Sequence, residues 1–299
     1  MVSCMLTVSV VIPSLNSPMI DQVVDRVRAQ SYPPLEIIVV GRDRDRRLAG
    51  RTDVCFVDTG RPVSPSAARN AGARRAIGDV LCFLDADCLA AEDWIARMVE
   101  RQATGAPVVC GGVRLPPGGY WRLCDNLAAL AEFIDVNAPG ERFHMASLNF
   151  SIAAASFRAI GGFDESFSRA GEDTDLSFRL RRAGYTIVFE PRASVAHYTS
   201  RADAAAAWRH LHAFGSCYPA VWGKHAAALG RSQRLELCRH RPRLALALAP
   251  ALAALDSLQF YTRHPALARY WYALPGVIWA RTGWYMGVIG SGAGGRVTG

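Results

Sequence analysis

The sequence has little that would cross-link a fold. Its eight cysteines include no CxxC pair and no spacing typical of a metal site. Several of them lie inside apolar runs, where a free thiol behaves as a small hydrophobic side chain. These absences argue against a zinc-bound or disulfide-linked scaffold, and they predict a reducing, cytoplasmic environment.

The sequence also has no recognisable leader and no uninterrupted membrane span. Residues 1–16, MVSCMLTVSVVIPSLN, have no basic region before the apolar stretch, so they predict a first core strand rather than a signal peptide. Two C-terminal stretches, residues 244–260 and 270–290, are apolar. Each is shorter or more interrupted than the roughly 20 apolar residues that a spanning helix needs.

Acidic residues are in the minority, with 26 Asp and Glu against 34 Lys and Arg and a formal net charge of +8 in 299 residues. Such a surplus fits nucleic acid, an anionic membrane or an anionic small substrate. The basic residues are scattered, and no RNA- or DNA-binding signature accompanies them. We therefore expect no nucleic-acid partner.

Up to about residue 200, strand patterns alternate with helix patterns. Apolar or β-branched runs predict strands at residues 6–13, 35–40, 53–58 and 79–85. Helical patterns begin near Ile20, at residues 64–78 with Ser64 as cap and Gly78 as stop, and at residues 93–104. This alternation predicts an α/β domain over residues 1–200, with a mostly parallel sheet covered by helices on both faces.

The carboxyl ends of the predicted strands mark the expected binding edge, because ligands of open α/β sheets bind there. The residues at these ends are Pro13, Ser14, Gly41, Arg42, Asp85 and Asp87. The last two complete an Asp-x-Asp motif. If that motif is extended, both carboxylates point to the same side and can share one divalent cation. The alternatives are a turn, or a cap for the helix at Asp93.

A second acidic group precedes the helix pattern in GEDTDLSFRLRRAG. Glu172, Asp173 and Asp175 favour the helix dipole singly, but three acids in four residues exceed what one cap requires. One of them can serve as a general base if the helix start faces the cleft. His197 follows the next strand and is a candidate metal ligand only because a metal-binding aspartate pair already exists.

Arginines on the predicted helix before the Asp-x-Asp motif suit a diphosphate, because the guanidinium is permanently charged and bidentate. Arg69, Arg74 and Arg75 are the candidates. Solvated helix charges are the alternative, and that alternative fits Arg74 and Arg75 better than Arg69.

Residues 201–299 form a different, hydrophobic and helical region. A helical stripe runs from Trp208 to Trp222, and Pro219 predicts a kink or an end in that helix. The apolar stretches beyond it are rich in Trp and Tyr or flanked by Arg, as interfacial segments are. Two alternatives stay open: a helical subdomain packed on the first domain, or a peripheral membrane contact. The tail GSGAGGRVTG is expected to be flexible.

Taken in order, these segments resemble family 2 glycosyltransferases with the GT-A fold over roughly residues 6–200. The matching segments are VSVVIPSLN, LEIIVV, SAARNAGARRAIGDVLCFLDAD, LNFSIAAASFRAIGGFDESF, GEDTDLSFRLRRAGYTIVFEP and the trailing His197. The resemblance implies a nucleotide-sugar donor, most simply a UDP-sugar, an acceptor hydroxyl, a divalent metal (Mn²⁺ or Mg²⁺) and inversion at the anomeric carbon.

The resemblance also implies residue roles. Asp173 is expected to be the catalytic base with Glu172 beside it. Asp87 is expected to hold the metal, with His197 as a further ligand. Arg69 is expected near the base or diphosphate and Asp85 near the ribose. The remaining donor-binding positions are Pro13, Ser14, Asn16, Gly41, Asp43 and Ala86.

One segment departs from the family pattern. After the second strand the family has an acidic residue and a Gly-Ser-type turn, as in DDGS, whereas this chain reads VVGRDRDRRLAG. Gly41 replaces the first acid, so Asp43 or Asp45 would have to contact the nucleobase. The four arginines of this loop either serve a different nucleotide or lie on the surface.

Other functions remain as alternatives. A nucleotidyltransferase would need a glycine-rich phosphate loop after the first strand, where this chain has PSLNSPM. A glycoside hydrolase also pairs carboxylates, and a non-catalytic nucleotide-sugar-binding protein could keep the fold. The hydrophobic C-terminal third favours a lipid-linked or glycan acceptor and a cytoplasmic location at the inner face of the membrane.

Overall fold

A nine-stranded sheet forms the core of the first of two units in the computed structural model, which describes residues 5–229 and 232–293. The strands, in chain order, are β1 (Val8–Leu15), β2 (Glu36–Arg42), β3 (Cys55–Asp58), β4 (Val80–Leu84), β5 (Cys88–Ala90), β6 (Val108–Arg114), β7 (Gly140–Arg142), β8 (Asn149–Ala153) and β9 (Ile187–His197). The helices are α1 (Ile20–Arg28), α2 (Pro65–Arg75), α3 (Trp94–Ala103), α4 (Tyr120–Leu130), α5 (Ala154–Ala159), α6 (Glu172–Arg182), α7 (Ala204–Leu229), α8 (Gln233–His240), α9 (Pro242–Arg263) and α10 (Leu274–Ala293).

The two units do not follow a single cut in the chain. The first unit runs to Pro116 and takes in Ala138–Ser168 and Glu172–Tyr198; the second takes in Pro117–Asn137, Arg169–Gly171 and the chain from Thr199. The internal segment that carries α4 therefore belongs with the C-terminal helices. The domain division at residue 200 stays a prediction. Most of the glycine-rich tail lies outside the described residues.

The sheet order is β3-β2-β1-β4-β8-β6-β9-β5, with β7 beside β9. The first four strands are parallel to one another, as the alternation of strands and helices predicts. Beyond β4 the sheet is mixed, since β8 is antiparallel to both β4 and β6 and β5 is antiparallel to β9. The whole sheet is therefore less parallel than expected, because the strands that complete it beyond β4 pair in both directions.

Helix α2 lies unusually close to the sheet. The Oγ of Ser64 accepts a hydrogen bond from the first turn, as predicted for an N-cap. A side chain at Gly72 would place its Cβ 2.4 Å from a methyl group of Val11. The helix ends at Arg75, before the predicted stop at Gly78. This close packing brings Arg69 to the carboxyl edge of the sheet, where it is 2% exposed.

Helix α6 carries its three acids in its first turn, where the helix dipole favours negative charge. Asp175 is fully buried and its Oδ2 accepts a 2.8 Å hydrogen bond from Nε of Arg179, one turn later. That pairing gives Asp175 a structural role. Glu172 and Asp173 remain for the binding edge.

In the second unit, α7 continues through Pro219, so the prediction of a helix end there is wrong. Non-helical backbone angles occur instead at His225. A Cβ at Gly215 would lie 1.9 Å from the backbone oxygen of Trp284. This close packing along α10 stabilises α7 despite the backbone hydrogen bond that proline cannot make.

The two apolar C-terminal stretches differ in their surroundings. In α10 the buried side chains include Val277, Tyr285 and Ile289, so this stretch belongs to the core of the second unit. Within the described residues, α9 is the helix that is long and apolar enough to cross a membrane by length and composition, and 28% of its most apolar window is buried. The fold therefore leaves α9 largely exposed.

Candidate active site

The two aspartates of the Asp-x-Asp motif lie in a tight turn. The backbone amide of Cys88 donates to the carbonyl of Asp85 at 3.1 Å, which closes a β-turn over residues 85–88. The amide of Asp85 is held by the carbonyl of Leu148, also at 3.1 Å. The motif therefore adopts the turn, one of the two alternatives, rather than the extended form. Asp85 contacts Arg69 and Asp87 contacts His197.

Arg69 links Asp85 to the start of α6. Its Nη2 donates to Oδ1 of Asp85 at 2.6 Å, and its Nη1 donates to Oε1 of Glu172 at 3.2 Å. The guanidinium lies 5.6 Å from the ring centroid of Phe163. Its Nε is buried and has no hydrogen-bond partner among the described residues. One buried cation thus joins three segments that are far apart in the sequence.

The charges at this edge are strongly coupled. Burial opposes the charge of Arg69, but the carboxylates of Asp85 and Glu172 outweigh it and raise the pKa of the guanidinium. For Glu172, burial and the neighbouring Asp173 raise the pKa to about 7, although Arg69 acts in the opposite direction. Its surroundings therefore favour the protonated form of Glu172 more than water does.

Asp173 is the more accessible acid of the pair. It is half-buried, whereas Glu172 is buried. The backbone amides of Thr174 and Ser147 donate to its two oxygens at 2.7 and 3.4 Å. The hydroxyl of Ser147 also donates to Oε1 of Glu172 at 3.3 Å. The loop before β8 therefore orients both acids, and Asp173 keeps an exposed side from which it can accept a proton.

Asp87 and His197 meet through the pairing of β5 with β9. Their Oδ2 and Nε2 atoms are 3.5 Å apart. The amide of Tyr198 donates to the carbonyl of Asp87 at 2.9 Å and fixes the turn against the end of β9. Asp87 is 39% exposed in its side chain and His197 is 6% exposed. This oxygen and nitrogen pair, open on one side, fits a divalent cation.

Cys88 joins this pair, and the sequence analysis missed it. One ligand atom from each of Asp87, Cys88 and His197 lies within 4.8 Å of the others. Burial, followed by the charges of Asp87 and Asp85, raises the pKa of the Cys88 thiol well above its usual value. No local spacing reveals the cluster, because His197 reaches Cys88 only through strand pairing. The position of Cys88 directly after the motif was the one available signal.

Gly41 stands where the resemblance leads us to expect an acid, and the backbone at this position leaves no room for a side chain. Ser14 and Gly41 are register partners on β1 and β2. The φ of Gly41 is 142°, and a Cβ there would lie 1.9 Å from the backbone oxygen of Ser14. No side chain fits at this position, so any carboxylate for the nucleobase must come from elsewhere in the loop.

Hydrogen bonds between side chains and backbone groups connect the loops that follow β1, β2 and β4. Asn16 has a positive φ of 55°, and its Oδ1 accepts from the amide of Arg44 at 2.9 Å. The hydroxyl of Ser17 donates to the carbonyl of Ala86 at 2.6 Å. Pro13, which pairs with Val40, lies on the same edge. The predicted donor loops therefore converge where the strands end.

Asp43 is engaged within its own loop. Its two oxygens accept from the amides of Arg47 and Leu48 at 3.0 and 2.8 Å. Arg42 and Arg47 lie within 4 Å of acidic side chains, Asp58 in the case of Arg42. The surface alternative therefore fits these two arginines, and a contact from Asp43 to a nucleobase stays a prediction.

Of the three candidate arginines, the structure brings only Arg69 to the two acidic groups. Arg74 is 68% exposed in its side chain and lies 3.8 Å from Glu165, and Arg75 is exposed. Solvated helix charges, the alternative reading for these two, describe them correctly.

Comparison with known proteins assigns the family. The model of glycosyl transferase family 2 matches residues 9–167, more than half of the chain. The chain belongs to glycosyltransferase family 2. This membership makes it a glycosyltransferase, and it sets aside the nucleotidyltransferase and glycoside hydrolase alternatives.

Two curated relatives of this glycosyltransferase cover different lengths. The succinoglycan biosynthesis protein ExoA of Rhizobium meliloti (strain 1021) is 27% identical over 248 residues, which are 76% of this chain and 74% of ExoA. Validoxylamine A glucosyltransferase of Streptomyces hygroscopicus subsp. limoneus is 30% identical over 219 residues, which are 59% of this chain and 48% of that enzyme. The chain thus spans about half the length of the second relative.

A solved structure supports the fold. A crystal structure of GalNAc-T7 with UDP, GalNAc and Mn²⁺ aligns with a TM-score of 0.55 and 20% identity, covering 70% of this chain and 48% of that one. The GT-A fold expected from the sequence is thereby confirmed: a sheet flanked by helices, followed by a helical C-terminal region.

The raised pKa of Glu172 predicts a pH-dependent stability. Because its folded pKa of about 7 lies above the ordinary value of 4.5, stability should fall as pH rises from about 4.5 through 7. Glu172→Gln mimics the protonated form and should therefore raise the Tm at pH 8, by about 2–4 °C for each kcal/mol regained. At pH 5 the difference should be much smaller.

Thermal unfolding at pH 5 and pH 8 measures this effect. Glu92→Gln, which removes an exposed carboxylate of the same unit, is the matched control and should change neither Tm appreciably. A Glu172→Gln variant that is less stable than the wild type at pH 8 would contradict the assignment.

Proposed function

We propose that this glycosyltransferase transfers a sugar from a UDP-sugar, with inversion at the anomeric carbon, to an acceptor hydroxyl. The observation that carries the proposal is the Arg69 bridge, which brings the turn after β4 and the acids of α6 to one edge of the sheet. A GT-A structure that binds UDP, GalNAc and Mn²⁺ supports this donor class.

In this proposal the loops after β1 and β2 hold the nucleotide. Asn16 links them through its hydrogen bond to the amide of Arg44. Asp85, held by its hydrogen bond from Arg69, is assigned to the ribose. The further donor-contacting residues are Pro13, Ser14, Gly41, Asp43 and Ala86.

Asp173 is the general base of the proposed reaction. Its half-exposed carboxylate can take the proton of the acceptor hydroxyl as that oxygen attacks the anomeric carbon from the face opposite the diphosphate. Glu172, buried and paired with Arg69, is the less suitable base. We assign it to positioning, because it accepts from the hydroxyl of Ser147, whose backbone amide donates to Asp173.

Asp87 and His197 would hold a divalent cation, Mn²⁺ or Mg²⁺. Such a cation supplies positive charge for the diphosphate that leaves. The donor set fits it, because a carboxylate and an imidazole nitrogen lie 3.5 Å apart beside an exposed carboxylate edge.

Replacement of Asp173 tests the base assignment. Asp173→Asn keeps the size and the hydrogen-bond acceptor for Thr174 but cannot take a proton, so transfer should fall by about 10²–10⁴-fold. Nucleotide binding should persist. Release of free nucleoside diphosphate from a panel of nucleotide sugars measures turnover, and titration calorimetry with UDP measures binding.

Two variants frame this experiment. Asp87→Asn should instead lose metal-dependent donor binding, and Glu92→Gln, which neutralises an exposed carboxylate of the same unit, is the control with near-normal transfer. Near-full turnover of Asp173→Asn would show that another group is the base.

We further propose that α9, in the C-terminal unit, contacts an anionic membrane surface on the cytoplasmic side. Such a contact suits a lipid-linked or membrane-proximal glycan acceptor. Small residues face the protein along this helix, at Ala245, Ala249, Ala253 and Ser257. Five leucines lie on its exposed side, each 39–52% exposed: Leu244, Leu246, Leu248, Leu255 and Leu258. Helices that pack in lipid have the same arrangement, with small residues facing the protein and leucines facing outward.

Basic residues near both ends of α9, and aromatic residues after it, favour lipid rather than a second copy of the protein as the partner of its exposed face. Exposed arginines precede or follow the apolar face, and Trp271 and Tyr272 are 72% and 51% exposed. Basic and aromatic side chains together suit an interface with anionic headgroups. The exposed arginines are Arg239, Arg241, Arg243, Arg263 and Arg269.

Vesicle flotation tests the contact. The wild type should float with phosphatidylglycerol vesicles and less with phosphatidylcholine, and the double variant Leu248→Glu/Leu255→Glu should lose most of this binding. Leu35→Glu, an exposed leucine of the first unit, is the control. A wild type that stays unbound to both vesicles, or that buries α9 in a dimer, would refute the membrane contact.

A further inference from the structure

We propose that Cys88 is a third ligand of the cation site and supplies a sulfur, so that the site takes a thiophilic divalent cation such as Zn²⁺ or Co²⁺ in preference to Mg²⁺. The proposal rests on the proposed function only in placing a cation on Asp87 and His197. It adds a ligand type that neither the Asp-x-Asp motif nor the family resemblance implies.

Strand pairing builds the site. Cys88 and His197 are direct register partners on the antiparallel strands β5 and β9. Directly opposite residues of an antiparallel pair place their side chains on the same face, with Cβ atoms about 4.5–5.5 Å apart. The turn that closes at Cys88 then brings Asp87 next to both. Three ligand types therefore meet without help from a flexible loop.

The distances suit one small cation. Oδ2 of Asp87 lies 3.5 Å from Nε2 of His197, and Oδ1 of Asp87 lies 3.8 Å from Sγ of Cys88. One ligand atom from each of the three residues lies within 4.8 Å of the others. Ligands at ordinary zinc distances in a tetrahedral site are about 3.4–3.6 Å apart. A modest contraction of the cluster therefore reaches a three-ligand site.

Burial leaves one side of the site open. Cys88 is fully buried and His197 is 5% exposed, whereas Asp87 is partly exposed. Three protein ligands with a fourth position open to solvent or substrate is the arrangement of catalytic rather than structural zinc sites. In the proposed reaction, such a position would be available to the diphosphate.

The sulfur changes which cation the site prefers. Carboxylate and carbonyl oxygens suit Mg²⁺, whereas thiolate and imidazole select softer ions. On binding, the thiol loses its proton to solvent and the sulfur bonds the cation, so charge and atoms balance without an oxidant. The competing account is that Cys88 only packs in the core and donates a weak hydrogen bond to Asp87.

Cobalt absorption separates these accounts. Co²⁺ added to the purified wild-type protein should give the near-ultraviolet charge-transfer band of a sulfur–cobalt bond, and Cys88→Ala should abolish it. Cys110→Ala, which removes another buried thiol of the same unit, should keep the band. An undiminished band in Cys88→Ala, or no band in the wild type, overturns the proposal.

Zinc affinity gives a second, independent readout. Cys88→Ala and Cys88→Ser should each weaken Zn²⁺ binding by about tenfold or more, the loss that even indirect support of a metal ligand causes. Mg²⁺ binding should change little, and circular dichroism should show folded variants. Equal Zn²⁺ affinity in the wild type and in a folded Cys88 variant refutes sulfur ligation.

The outcomes distinguish this proposal from the proposed function. A cobalt band without any nucleoside diphosphate release means that Cys88 ligates and the donor assignment fails. The opposite result is nucleoside diphosphate release with Mn²⁺, no cobalt band in the wild type, and equal Zn²⁺ affinity in the wild type and the Cys88 variants. It means that the transfer assignment holds and that Cys88 is a core residue.

Discussion

The buried guanidinium of Arg69 is the constraint on which the rest of the site depends. A cation that is 2% exposed must be paired, because an unpaired buried charge costs several kcal/mol. Its two partners, Asp85 and Glu172, stand at the end of β4 and the start of α6. The close packing of α2 on β1 at Gly72 holds the helix that carries Arg69 against the sheet. A small residue on one helix therefore helps to fix the relative position of two acidic motifs.

This bridge also divides the acids by role. Asp85 and Glu172 are held by the cation, whereas Asp173 and Asp87 are each partly exposed. Ionised Glu172 is disfavoured by burial and by the neighbouring Asp173, which together raise its pKa. A bound cation and a diphosphate would balance the remaining negative charge. The net charge of +8 is compatible with an anionic substrate, although the arginine-rich loop after β2 has two of its arginines beside acidic side chains.

Local sequence patterns predicted much of the first unit, which contains the sheet. Apolar runs placed β1, β2 and β4, helical spacing placed α1 with Ile20 and Val27 buried, and Ser64 was a correct cap. Long-range pairing was beyond such patterns. The turn over residues 85–88, the register of Cys88 with His197 and the approach of Gly41 to Ser14 each depend on a partner distant in the chain. The same reason explains why α4 was not assigned to the C-terminal unit.

The central claim is that the Arg69 bridge organises a site for sugar transfer. The most direct measurement compares nucleoside diphosphate release from a nucleotide-sugar panel by the wild type and by Arg69→Lys, which keeps the charge but cannot bridge two carboxylates in fork geometry. We expect release from at least one donor by the wild type, and a loss of about 10²-fold in the folded variant because the reacting groups are misplaced. Wild-type rates in Arg69→Lys, or no release from any donor by the wild type, would contradict the claim.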